Sequence, residues 1–63
     1  MNWEKIETFK HRLREERRIK FSCDYGLTFK YNELRIMCPV VYKEHIAEVA
    51  EELGIIIKEY FTY

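Results

Sequence analysis

Cys23, Cys38, His11 and His45 are the side chains best suited to nucleophilic, redox or metal chemistry in this chain. Their spacing does not assemble that chemistry. Neither a Cys-x-x-Cys nor a His-x-x-x-His pair occurs, and Cys23, Cys38 and His45 would give three ligands from scattered positions, short of a closed zinc site. Both cysteines take core-facing parity in the strands read below, where a free thiol packs as a small apolar group. A disulfide between neighbouring strands would need an oxidising compartment, and no signal for one is present. His11 lies beside Glu7 and Glu15, and His45 beside Glu44 and Glu48, which makes ion-paired surface histidine their ordinary role. There is no Gly-rich phosphate loop, nucleophile elbow or paired-carboxylate motif. A chain of 63 residues could hardly enclose a catalytic pocket of roughly 300 Å³ or more. The expectation is a non-enzymatic protein without metal or cofactor.

What remains is contact chemistry. The chain is 48% hydrophobic and 35% charged, with 1 Trp, 5 Tyr and 4 Phe. A domain of this size buries only about 60% of the surface its unfolded chain exposes, so some rings must face water or a partner. The aromatic Tyr60-Phe61-Thr62-Tyr63 end makes Tyr60, Phe61 and Tyr63 the expected contact residues. The formal net charge of +0 conceals a segregation: Met1 to Lys30 holds eight basic and five acidic residues, and Tyr31 to Tyr63 three basic and six acidic. Glu44, Glu48, Glu51 and Glu52 then form an acidic surface suited to a basic partner. That partner could be a second copy, with the basic half of one subunit against the acidic half of the other.

The elements that must position these residues follow from periodicity. Trp3, Ile6, Phe9 and Leu13 recur at helical spacing between Asn2, a capping residue, and about Arg18. Arg12 with Glu16, Glu7 with Lys10, and Glu15 with Arg18 are spaced as ion pairs on that helix. The period then changes to two. Ile19, Phe21 and Cys23 read as one strand, Leu27, Phe29 and Tyr31 as a second after an Asp24-Tyr25-Gly26 turn, and Leu34, Ile36 and Cys38 as a third after Asn32-Glu33. Val41 to Leu53 repeats as a second helix closed by Gly54. Ile55 to Tyr63, rich in β-branched and aromatic residues, reads as a final strand whose facing is ambiguous. Tyr42 to Ile55 loosely resembles the helix of a small single-strand-binding domain family. The Arg and the His four residues later that mark that helix are replaced here by Lys43 and Ala47, and the likeness is not counted as membership.

The expected fold is a single α+β domain over residues 1–63. Its order is α-β-β-β-α-β, a two-layer sandwich with a mainly antiparallel four-stranded sheet and two helices on one face. Its expected role is a protein–protein interaction module, a small adaptor or inhibitor of the kind a virus or mobile element could encode, expected to self-associate as a homodimer. The alternative is a nucleic-acid-binding protein using Arg12, Arg14, Arg17, Arg18 and Lys20 with the open sheet face, where Lys30 and Arg35, joined by Lys58 and Tyr60, would attract backbone and stack bases. The charged N-terminus and the absence of a long apolar run predict a cytosolic protein that does not enter a membrane.

Overall fold

The computed structural model describes residues 2–63. Helix α1 spans Trp3–Arg17 and starts where the sequence places a cap: Asn2 accepts a hydrogen bond from the Lys5 N–H at 2.9 Å. It ends as Arg18 turns left-handed at φ 57°, its N–H donating to the Leu13 carbonyl. Strands β1, Gly26–Lys30, and β2, Glu33–Cys38, form an antiparallel hairpin. Between them Tyr31 and Asn32 both have positive φ, 54° and 60°, so the connection is a two-residue turn of the primed type.

Pro39 stops β2, and α2 follows over Val40–Glu52. Past its end Gly54 sits at φ 71°. Its N–H donates to the Glu51 carbonyl at 3.1 Å and the Ile55 N–H to the Ala50 carbonyl at 2.8 Å, the paired bonds of a Schellman ending. Strand β3, Ile57–Thr62, then returns parallel to β2.

These strands make one three-stranded mixed sheet in the order β1-β2-β3. The four-stranded, mainly antiparallel sheet expected from the sequence is therefore wrong: there are three strands, and the sheet is mixed, with one antiparallel and one parallel pair. The missing strand is Ile19–Asp24. There the Asp24 carboxylate accepts from the Lys20 N–H at 2.8 Å while the Cys23 and Asp24 N–H groups donate to the Lys20 carbonyl. Ser22 turns left-handed at φ 73°. Side chain and backbone together satisfy each other in a tight turn, which removes the groups a ladder would need. A single bridge, Phe21 to Tyr25, is all the pairing this segment keeps. Cys23, expected in the core, is exposed as a result, whereas Cys38 is buried. The direction of β3 follows from chain order, because a helix inserted between two adjacent strands carries the chain back to start the second beside the first.

The core lies between the helices and one face of the sheet. Phe9 and Leu13 from α1, Leu34, Ile36 and Cys38 from β2, and Ile46 and Val49 from α2 are fully buried, with Ile19, Tyr25, Ala50 and Ile55 closing the edges. Each large apolar side chain so buried contributes on the order of 2 kcal/mol. None of the described polar or charged residues is buried.

Candidate functional site

Two surfaces bring together the residues singled out in the sequence. The first is the seam between the helices. Arg12 grips Glu16 with two bonds, at 2.9 and 3.0 Å, and reaches across to Glu52 on α2. One turn on, Arg17 donates to Glu48 at 2.8 Å and contacts His45 Nδ1 at 3.0 Å. The hydrogen bonds from Arg12 hold the Glu16 carboxyl below its ordinary range, and the same carboxylates raise the Arg12 guanidinium. The basic row of α1 therefore meets the acidic row of α2 inside one molecule. Glu48 and Glu52 are engaged there, while Glu44 and Glu51 stay exposed without an ion pair among the described residues. Lys10 pairs with Glu7 at 3.0 Å, as the spacing predicts, but Glu15 pairs with its neighbour Arg14 rather than with Arg18.

The second surface is the sheet face turned away from the helices. Register places its residues in rows across the strands: Gly26, Met37 and Phe61 in one, Thr28, Arg35 and Glu59 in the next, and Lys30 beside Glu33 in the last. One residue of β2, from Leu34 to Arg35, is matched by two on β3, from Ile57 to Glu59, so Lys58 is an extra residue in a bulge. The bulge settles the facing of the last strand. Ile57 and Tyr60 both pack against the core, and Glu59 and Phe61 take the open face. Tyr60 thus leaves the aromatic set expected at the chain end: it is half-buried, with Lys43 Nζ 5.2 Å from its ring centre. Burial raises its hydroxyl pKa, and nearby Cys38 adds to the effect. It does not lie beside Lys30 and Arg35, so the stacking surface considered for nucleic acid is not assembled in that form.

The open face has two unlike halves. In one, Arg35 donates to Glu33 at 3.1 Å and to Glu59 at 3.4 Å, and Lys58 approaches Glu33 at 3.8 Å, an ion lattice with no net excess of either sign. In the other, Met37 is 53% exposed and Phe61 48%, side by side in register. Tyr63, 72% exposed, continues the strand, and its carbonyl accepts from the Val40 N–H at 2.8 Å. That bond sets exposed Val40, next to exposed Val41, at the rim. A groove lined by Gly26, Thr28, Met37 and Phe61 crosses this half. Alternation with Leu34, Ile36 and Cys38 puts Met37 on the outward face, but nothing local reveals that Phe61 joins it, because the bulge breaks the alternation. The sequence places Val41 at the start of a helix and Val40 just outside it, with no contact role for either.

Of the cations named for nucleic acid, Arg12, Arg17 and Arg35 are tied to carboxylates of their own chain, and Arg14 more loosely to Glu15. Arg18, Lys20 and Lys30 have no ion pair among the described residues. Among those residues there is also no group of three or more His, Cys, Asp or Glu placed to hold a metal ion. No described helix is long and apolar enough to cross a membrane. No family model, curated protein or solved structure matches the chain.

Proposed function

We propose that the chain is a non-enzymatic protein-docking module that self-associates through the apolar half of its open sheet face. The observation that carries this reading is the Met37–Phe61 pair, half-exposed and adjacent, continued by Tyr63 and Val40. Together with Val41 these side chains offer roughly 500 Å² of mostly apolar surface, at the upper end of what monomers leave uncovered. That area could form the centre of an interface of about 800 Å² per partner.

Charge argues for a second copy as the occupant. The ion lattice around Arg35 satisfies itself and Lys30 lies beyond it at the hairpin end, so the apolar half itself carries no fixed charge by which to select an acidic or basic partner. A two-fold axis near the Met37–Phe61 row lays patch on patch and leaves the two lattices outside it, in water. The basic and acidic helical rows, already joined within the molecule, are not needed for this contact.

Sedimentation velocity over a concentration series tests the reading. Wild type should move from monomer to dimer, whereas Met37→Glu should remain monomeric with an unchanged circular dichroism spectrum. A wild type that is monomeric at every attainable concentration would refute self-association, and a Met37→Glu variant that dimerises normally would refute this surface.

A further inference from the structure

The start of α1, the turn between β1 and β2, and the segment leading from α2 into β3 meet at one end of the sandwich, the end opposite Pro39. Contacts tie them together. The Trp3 ring meets the Phe29 ring edge-on at 5.1 Å, two residues before the turn. Ile57 pairs with Leu34, and Ile56 lines one hollow with Asn32, Lys5 and Lys58. This end carries the two most exposed large apolar side chains among the described residues, Tyr31 at 93% and Ile56 at 81%, together with the exposed ring of the only tryptophan. Lysines surround them. Lys5 and Lys30 have no ion pair among the described residues, and Lys58 has the 3.8 Å approach to Glu33, a carboxylate that Arg35 already holds at 3.1 Å. Glu4, in the first turn of α1, adds one further carboxylate, whereas Glu51 and Glu52 line the seam with Arg17 instead.

Tyr31 sits there at a cost to the fold. Its φ of 54° is a left-handed conformation that a bulky side chain disfavours and that Asn or Gly would ordinarily occupy. With the ring out in water, no burial offsets that cost. Backbone strain that packing does not explain belongs to sites of contact more often than to the framework.

We infer that this end adsorbs to an anionic lipid bilayer, with Trp3, Tyr31 and Ile56 entering the headgroup region and Lys5, Lys30 and Lys58 among the anionic headgroups. Trp and Tyr are the side chains that concentrate at a bilayer interface, where a ring meets both apolar and wet surroundings, and Ile56 adds aliphatic area that partitions below it. Lysine suits a fluid array of headgroups, because its apolar stem can lie in the interface while its ammonium stays in water. A single-stranded nucleic acid would use the rings but not the exposed Ile56, and the forked donor best suited to fixed phosphates, Arg35, is bound here to Glu33 and Glu59. The chain lies on the membrane without crossing it. The contact is independent of self-association, since none of these residues lies in the Met37–Phe61 half of the open face.

Trp3, as the only tryptophan, reports the contact directly. Vesicles of phosphatidylcholine mixed with phosphatidylserine should move its emission to shorter wavelength along a saturable curve that weakens with added salt. Phosphatidylcholine vesicles should bind about tenfold more weakly, the scale of one or two lysine charges at an anionic surface. Lys5→Glu with Lys30→Glu should remove that preference, and Ile56→Glu should weaken binding about tenfold, the scale of burying one large aliphatic side chain. Tyr31→Asn with Asn32→Gly should weaken it several-fold while raising the melting temperature, which separates a lost contact from a damaged fold. Met37→Glu, on the docking face, should match wild type at concentrations where both are monomeric. No saturable shift with the mixed vesicles, equal binding by wild type and the Lys5, Lys30 and Ile56 variants, or a shift produced by a single-stranded oligonucleotide and not by vesicles would overturn the site.

Discussion

Tyr25 carries a polar group into an apolar interior. Its ring helps fill the core, while desolvation, with Glu7 adding to it, pushes its hydroxyl pKa well above the ordinary 10.0. Burial raises the Cys38 thiol in the same direction. The sign of the linkage follows: above the ordinary values of 9.0 for the thiol and 10.0 for the phenol the unfolded chain releases these protons and the folded one keeps them, so folding binds protons and stability falls as pH rises. Below the unfolded values this contribution is complete. Tyr25→Phe should therefore flatten the alkaline limb of a plot of unfolding free energy against pH, and at neutral pH should match or exceed wild type by up to about 1 kcal/mol. A steeper alkaline limb in the variant would contradict the assignment. At the hairpin tip, Tyr31 and Asn32 occupy left-handed conformations that suit Asn and Gly better. The double change Tyr31→Asn with Asn32→Gly should raise stability by about 1 kcal/mol in urea unfolding. No gain would mean that this turn is less firmly held than its geometry implies.

At the scale of elements, the legible parts were those specified by short-range chemistry. Asn2 announced the start of α1 and Gly54 the end of α2, because capping depends on a residue and its next few neighbours. Leu27–Phe29 and Leu34–Ile36–Cys38 alternated cleanly and are strands with those residues inward, whereas Tyr31, expected to continue the first of these, lies in the turn and is exposed. Ile19–Phe21–Cys23 alternated equally well and is not a strand, since one carboxylate, Asp24, offered the backbone a local alternative that periodicity cannot see. The direction of β3 was readable in principle from strand, helix and strand in succession, the usual crossover unit for parallel pairing. The bulge at Lys58 was not readable, because it depends on register against β2. Its role gives a test. Removing Lys58 would restore plain alternation along β3 with Ile57 and Tyr60 still inward and Phe61 still outward. The deletion variant should fold, with Phe61 as accessible to solvent paramagnetic probes as in wild type. A chain that unfolds, or one in which Phe61 becomes protected while Tyr60 becomes exposed, would show that the bulge itself sets the register.

For the whole molecule, the balance of charge and the excess of rings have different outcomes. The oppositely charged halves that suggested docking between subunits close on each other within one chain, through Arg12 with Glu52 and Arg17 with Glu48. Such exposed pairs contribute little individually and weaken with salt. The rings are not all absorbed: three strands offer one inner face, which takes Phe29 and Tyr60, while Phe61 and Tyr63 remain outside beside Met37. A small domain gains from covering that surface, since its own interior is too limited for a wide margin of stability. Association through the patch should therefore make the melting temperature rise with protein concentration in wild type and stay constant in Phe61→Glu.

The most direct test of the docking surface is an isotope-filtered NMR experiment on an equal mixture of labelled and unlabelled chains. Patch-on-patch association predicts intermolecular contacts between the Met37 methyl group of one copy and the Phe61 ring of the other. Intermolecular contacts confined to another surface, or none at a concentration where the wild type is dimeric, would contradict it.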